Sequence, residues 1–253
     1  MLSLLAILIL SFLLGMRHAT DPDHVVAITT IVAKQRGIAK AGLIGILWGL
    51  GHTFTIFVVG TMIILFQVTI PPRVGLSMEL TVAAMLILLG VLNLTGTLRW
   101  LQENLAPNLR LLATDRVRSE SAAKSESPTP KLRLTAIFKG LGRFNVLRPL
   151  VIGIVHGLAG SAAVALLVLS TIHSPVWATV YLLIFGAGTM VGMMCMTAMM
   201  AVPLAYAGNR FSSVSRVFSL ASGVVSVCFG FFLVYQLGFL GGLFTSHPQW
   251  TPR

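Results

Sequence analysis

Six long apolar stretches restrict what this sequence can fold into. Each contains between 20 and 32 residues, and about 20 apolar residues are enough for a helix to cross the hydrocarbon core of a bilayer. The stretches are Leu2–Ala33, Ala41–Phe66, Glu79–Leu98, Pro149–Ile172, Pro175–Ala205 and Val217–Phe244. The composition agrees, since 56% of the residues are hydrophobic and only 10% are charged. We therefore expect an all-α integral membrane protein with about six transmembrane helices in a lipid bilayer.

A polar segment, Gly15–His24, interrupts the first stretch with the sequence GMRHATDPDH. Ionisable side chains at membrane depth are costly, about 2.5 to 3.5 kcal/mol each on insertion scales, and they usually face a cavity or an ion path. We therefore interpret the segment as a functional site. The first stretch is also too long for one straight span. We expect either a helix broken at this segment or two half-helices that meet there.

The spacing of the polar residues predicts which of them share a face. On an ideal helix His18, Asp21 and His24 form one stripe, whereas Asp23 points away. Pro22 cannot donate a hydrogen bond to the carbonyl of His18, so we expect the helix to kink or open there. Such a distortion would let Asp23 join the stripe and would free the His18 carbonyl as a further ligand.

The residue types in this segment favour a divalent transition metal. Imidazole and carboxylate groups, with a further histidine on the next apolar stretch, suit nickel, cobalt, zinc or iron better than an alkali ion. The predicted metal ligands are His18, Asp21, Asp23, His24, His52 and His156. The same groups are also typical of a proton relay, so proton coupling stays open.

Basic residues are distributed unevenly between the predicted loops. Three lie after the first stretch, ten lie from Arg99 to Arg148 and two lie near the fifth loop, against Arg73 alone in the loops on the other side. By the positive-inside rule, residues 99–148 form a cytoplasmic linker and both termini lie outside. The low apolar content of this linker predicts that it is flexible. We attribute the net charge of +11 to orientation in the membrane, not to nucleic-acid binding.

The two halves of the sequence repeat each other. The segment Gly15–His18 (GMRH) recurs as Gly153–His156 (GIVH), and Gly49–His52 (GLGH) recurs as Gly186–Thr189 (GAGT). This repeat is the reason that His156 is a predicted ligand. We expect two three-helix units, residues 1–98 with the metal motifs and residues 149–253. Because each unit has an odd number of spans, the second would be inverted relative to the first, as in many transporters.

The motif Arg17–His24 (RHATDPDH) resembles the signature of the nickel/cobalt transporter family, which is close to RHAxDADH. The sequence Gly51-His52-Thr53 resembles the second motif of that family, a Gly-His-Ser/Thr on the next helix. The resemblance implies a permease for Ni²⁺ or Co²⁺. It also implies that His18, Asp23 and His24 are essential for metal recognition and that His52 assists.

The second half narrows the resemblance to one branch of the family. From Leu150 onward the sequence contains no Asp or Glu, whereas the high-affinity branch carries acidic motifs there. The segment Gly153–Ser161 (GIVHGLAGS) is more similar to the shorter, urease-accessory nickel transporters. This similarity implies a prokaryotic inner membrane and, as partners, the proteins that mature a metalloenzyme.

The motifs that are present predict a secondary transporter, not an enzyme. The sequence contains no Walker loop, so an ion gradient or a partner would supply the energy for alternating access. We expect no cofactor, because the metal is the substrate. Two alternatives stay open. One is a membrane partner in metalloenzyme maturation that binds metal without moving it. The other is an acyltransferase-like enzyme using the His18-x4-Asp23 pattern.

Overall fold

The computed structural model describes residues 2–33, 37–66, 70–96, 143–158, 174–208, 212–245 and 248–250. Helices account for nearly all of these residues, and no strand occurs among them. The elements are α1 (Leu2–His18), α2 (Pro22–Val32), α3 (Ile38–Phe66), α4 (Pro72–Leu94), α5 (Arg143–Gly157), α6 (Pro175–Gly208), α7 (Ser212–Tyr235) and a π-helix (Gln236–Leu240). The predicted linker falls almost entirely outside the described residues.

The lengths and composition of these helices are those of an integral membrane protein. Within the described part, α3, α4, α6 and α7 are each long and apolar enough to cross a bilayer, and α1 with α2 forms a bent fifth candidate. Large apolar side chains such as Phe54 (60% exposed) and Phe231 (59% exposed) face outward, as lipid contact requires. The predicted span Pro149–Ile172 is described only as far as residue 158, where α5 covers its first part.

The first apolar stretch is broken next to Pro22. Helix α1 ends at His18, α2 begins at Pro22, and the two axes differ by 55°. Proline favours an extended residue before it and fits the first position of a helix, and Asp21 accordingly has φ −60° and ψ 146°. The expectation of a free His18 carbonyl is wrong, because the turn closes with a hydrogen bond of 3.1 Å from the Asp21 N–H to that oxygen.

Helices α3 and α6 pack side by side in opposite directions at the centre of the molecule. Gly45 near the start of α3 lies against Thr197 of α6, and Gly60 near the end of α3 lies against Leu182. Small residues at such contacts let two helix backbones approach closely within a membrane. The central pair therefore provides the surfaces on which the shorter helices α1 and α5 pack.

Two helices run parallel to members of this central pair. Along α1, the Ser11 hydroxyl donates to the Tyr181 carbonyl of α6 at 2.8 Å, and Ala19 lies against Gly192. Along α5, the Leu150 carbonyl lies against Gly51 of α3. One turn further, the Thr55 hydroxyl donates to the Ile154 carbonyl at 3.0 Å. These contacts bring the C-terminal ends of α1 and α5 to the middle of the bundle.

Helices α4 and α7 form a second antiparallel pair, with α2 packed against both of them. Gly90 lies against Gly223, Gly230 lies against Ala83, and the Ser226 hydroxyl donates to the Leu86 carbonyl at 2.7 Å. Helix α2 thus lies between this pair and the central helices, and His24 in its first turn is completely buried.

Candidate metal site

Four histidines from four helices meet at the centre of the bundle. His18 ends α1, His24 lies in the first turn of α2, His52 lies midway along α3 and His156 lies at the end of α5. His24, His52 and His156 have no solvent exposure, and His18 is 5% exposed. Their ring centroids are between 4.2 and 5.9 Å apart in every pair for which a ring contact is found. We call these four residues the histidine cage.

His18 and His52 face each other through their Nε2 atoms, which are 2.9 Å apart. The Nδ1 of His18 donates to the Asp21 carboxylate at 2.8 Å, which fixes the orientation of the ring. Because His18 is a donor through Nδ1, its neutral form presents the Nε2 lone pair to His52. A carboxylate that holds a histidine in this way is typical of metal sites, where it orients the ligand and raises its basicity.

Asp23 joins two members of the cage. Its Oδ1 accepts from the His24 Nδ1 at 3.1 Å and from the His24 backbone N–H at 3.0 Å, and its Oδ2 accepts from the His156 Nε2 at 2.9 Å. Each ring therefore turns its other nitrogen away from the carboxylate. Those two atoms, His24 Nε2 and His156 Nδ1, have no hydrogen-bond partner among the described residues, although both are buried.

Two overlapping groups of donor atoms result. His18, His24 and His52 form one group, and Asp23, His24 and His156 form the other, with all donor atoms of a group within 4.8 Å of one another. Metal–nitrogen bonds of about 2.0 to 2.1 Å place neighbouring ligand atoms a little over 3 Å apart. Small side-chain shifts would therefore bring either group to bonding distance of one ion, and His24 belongs to both.

Aromatic rings line the cage on two sides. Trp48 stacks on His24 at a centroid distance of 5.8 Å and meets His156 edge-on at 5.5 Å, while Phe185 lies 5.6 Å from His18. Trp48 is completely buried. The sequence interpretation did not single out either aromatic residue. A signal for Trp48 was available, because it precedes His52 by four residues and so lies on the same helix face.

Of the six predicted ligands, the structure brings five together. His18, Asp23, His24, His52 and His156 make up the two donor groups, which share His24. Asp21 belongs to neither donor group, since its half-buried carboxylate lies on the outer side of the His18 ring. The break before Pro22 explains why Asp23 is included, because it removes the single helical stripe from which Asp23 was excluded.

Comparison with known proteins agrees with these features. A family model named NicO and described as "High-affinity nickel-transport protein" matches residues 4–243. The chain is 33% identical over 241 residues to the urease accessory protein UreH of Bacillus sp. (strain TB-90), and the match covers 95% of this chain and 96% of the relative. No solved structure was found to match. The chain therefore belongs to the NicO family, and its function is the transport of a metal cation across a membrane.

Proposed function

We propose that this protein carries Ni²⁺ or Co²⁺ across the membrane by alternating access and that the histidine cage holds the ion in transit. The observation that carries the proposal is the burial of four imidazoles in two overlapping donor groups, with Asp23 joining two of the rings. Buried polar nitrogens are costly unless they are paired or bind a metal. A metal ligated by these rings would supply the missing partners.

The donor chemistry fits the metals named in the proposal, and the family match favours nickel among them. A set dominated by imidazole nitrogen suits Ni²⁺, Co²⁺, Zn²⁺ and Cu²⁺, whereas Mg²⁺ and Ca²⁺ prefer oxygen. In our proposal the ion is held by His18, His24 and His52. Asp21 and Asp23, predicted from sequence as ligands, act instead as the carboxylates that orient the rings.

Contacts between the two halves support an inverted repeat. In the central pair, the contact of Gly49 with Met190 has a counterpart, shifted by 137 residues, in the contact of Gly186 with Thr53. Helix α1 runs parallel to α6 and α5 runs parallel to α3, while α3 and α6 are antiparallel to each other. It follows that α1 and α5 point in opposite directions, as inverted repeats require.

Contacts between α4 and α7 support the same correspondence between the two halves of the chain. The contact of Gly90 with Val227 corresponds, with a shift of 140 residues, to the contact of Gly230 with Ile87. We therefore keep the division into residues 1–98 and 149–253. The cytoplasmic linker 99–148, the external termini and the prokaryotic inner membrane also remain parts of the proposal, based on the distribution of basic residues and the family.

The similarity to the urease accessory protein UreH suggests a second candidate function, the delivery of the cation to other proteins. The name of that protein assigns it an accessory role for urease, so this chain is proposed to supply its cation to proteins that mature a metalloenzyme. Uptake of Ni²⁺ into sealed liposomes by the purified protein would distinguish transport from a purely accessory role.

The acyltransferase alternative is disfavoured, because His18 pairs with Asp21, while Asp23 pairs with His24 and His156. We propose no enzymatic activity and no cofactor.

The identity of the ion and its ligands is tested on the purified protein in detergent. Calorimetric titration with Ni²⁺, Co²⁺, Zn²⁺, Mn²⁺ and Mg²⁺ is expected to give tight binding for the nickel and cobalt ions and none for Mg²⁺. X-ray absorption at the nickel edge should then report at least three imidazole ligands. Tight Mg²⁺ binding, or a nickel ion surrounded only by oxygen, would contradict the proposed site.

A further inference from the structure

A cavity of about 470 Å³ lies beside the histidine cage, between α2, α4 and α7. Its polar lining comprises three carboxylates, those of Asp21, Asp23 and Glu79, together with the Gln236 amide. The other lining residues are Pro22, Val82, Phe229, Phe232, Leu233 and Leu237. We propose that this cavity, called the vestibule below, conducts the cation between the aqueous phase and the cage, and that Glu79 attracts the cation into it. The inference rests on the proposed function of the cage.

The vestibule and the cage share Asp23. This residue lines the cavity and also accepts hydrogen bonds from His24 and His156. The Nε2 atom of His24, which is completely buried, has no hydrogen-bond partner among the described residues. A cation that reaches the Asp23 carboxylate from the vestibule is therefore one side chain away from the ligands of the cage.

Glu79 is held in place within the vestibule wall. It lies near the start of α4, where its Oε1 accepts a hydrogen bond of 2.8 Å from the indole N–H of Trp250. Opposite, Gln236 begins the π-helix that follows α7, and π-helical segments frequently occur at functional sites. The vestibule thus has a fixed carboxylate on one wall and an irregular helix end on another.

The other end of the same helix pair is closed by hydrogen bonds. The Asn93 amide of α4 donates to the Ser219 carbonyl at 2.8 Å and to the Ser222 hydroxyl at 3.2 Å, and the Ser219 hydroxyl donates back to Asn93 at 3.0 Å. Asn93 follows Glu79 by 14 positions, about 21 Å along the helix. The α4–α7 pair is therefore tied together by hydrogen bonds at the Asn93 end, whereas the vestibule lies at the Glu79 end, an arrangement that suits access from one side.

Electrostatics explains why the position of Glu79 matters. Apolar walls of low dielectric strengthen the attraction between carboxylates and a divalent cation, and clefts of one charge sign raise local cation concentration and association rates. Glu79 lines the vestibule and belongs to neither donor group of the cage, so we place its charge before the ligands on the path of the ion. Glu79 should control how readily the cation arrives, and the cage should control how tightly it is held.

The test compares Glu79→Gln with Glu79→Asp in nickel uptake by liposomes. The glutamine keeps an acceptor for the Trp250 indole and removes the charge. We expect it to raise the half-saturating Ni²⁺ concentration about 3- to 10-fold while the maximal rate stays within about twofold. Raising the salt concentration from about 0.02 M to about 0.3 M should slow nickel uptake by the wild-type protein, because salt screens the charge of Glu79. The rate for Glu79→Gln should fall less over this range, whereas the rate for Glu79→Asp should fall as much as that of the wild type.

Two controls keep the outcomes distinct. Glu120→Gln removes the same charge from the 99–148 segment and is expected to leave uptake unchanged. A Gln236→Cys variant, made with Cys195→Ser and Cys228→Ser, should react with a cationic thiol reagent and lose transport. Wild-type kinetics for Glu79→Gln would overturn the proposed role of the vestibule. The same holds if Gln236→Cys does not react with the reagent from either side of the membrane. If the wild-type protein moved no metal at all, the proposed function itself would fail.

Discussion

Asp23 joins two rings of the histidine cage, because each of its two oxygens orients a different histidine. Oδ1 binds the His24 ring and Oδ2 binds the His156 ring, which come from different halves of the chain. Asp21, by contrast, contacts only the His18 ring and is partly exposed. The two carboxylates are two positions apart in the sequence but differ in burial and in the number of rings that they hold.

This difference predicts unequal effects of the same substitution. In Asp23→Asn, the amide nitrogen cannot accept a hydrogen bond, so one of the two rings loses its partner. We expect Ni²⁺ affinity, measured by calorimetry, to fall about 10- to 100-fold. The matched control Asp21→Asn changes a partly exposed carboxylate that contacts one ring, and it should cost less than about tenfold. Equal affinities for the two variants would contradict the roles that we assign to these carboxylates.

Residue types in the site were predictable from sequence, whereas their pairing was not. The pattern of ionisable residues in an apolar stretch predicted His18, Asp23 and His24 as a candidate site, and the structure places all three in the donor groups. Helical periodicity then separated Asp23 from the stripe, because it assumes one continuous helix. The turn before Pro22 changes the direction of the chain by 55°, and no spacing rule gives that angle.

At the scale of elements, the site depends on the close approach of α5 to α3. Gly51 lies next to His52, and a Cβ atom at Gly51 would collide with the Leu150 carbonyl of α5. On the same helix, Gly42 has only an ordinary contact, 3.8 Å from a Cβ position to the Met194 Cγ. One glycine is therefore required by packing, while the other is not.

Alanine substitution at these two glycines should distinguish the effect of helix packing on stability from the effect of helix propensity. Gly51→Ala pushes α5 away from α3, and overpacking of this kind costs about 1 to 3 kcal/mol. Its thermal midpoint in detergent should fall, and nickel affinity should fall with it because His52 and His156 move apart. Gly42→Ala should be neutral or slightly stabilising, since alanine favours a helix more than glycine does. A Gly51→Ala protein as stable as wild type would contradict the observed contact.

Helix type was easier to predict than helix ends. The stretch Glu79–Leu98 corresponds to α4, which instead runs from Pro72 to Leu94. Pro72 starts the helix earlier because proline fits the first helical turn, and Gly96, with φ +70°, lies just beyond the end. Apolar runs therefore located the spans, while local backbone preferences decided where the helices begin and end.

At the scale of the whole molecule, the first helix of each half packs on the central helix of the other half. Helix α1 lies along α6, and α5 lies along α3. The repeat of glycines and histidines predicted two related units but not this exchange, because sequence similarity carries no information on which surfaces meet. The exchange brings His156 to the metal motif of the first half and couples the two halves at one site.

A molecule built in this way should lose transport when one shared ligand is removed. His24 belongs to both donor groups, so His24→Gln weakens both at once. The substitution keeps a polar side chain of similar length, and normal elution from a sizing column would show that the fold persists. Thr81→Ala, at an exposed position on α4, serves as the matched control.

Uptake of Ni²⁺ into sealed liposomes containing a nickel-sensitive dye is the most direct measurement. The wild-type protein and Thr81→Ala should carry nickel at similar rates, whereas His24→Gln should carry less than about a tenth as much, the range expected when a metal ligand or its support is lost. Wild-type transport by His24→Gln would contradict the assignment of the cage. Nickel binding by the wild-type protein without any passage would contradict transport through it.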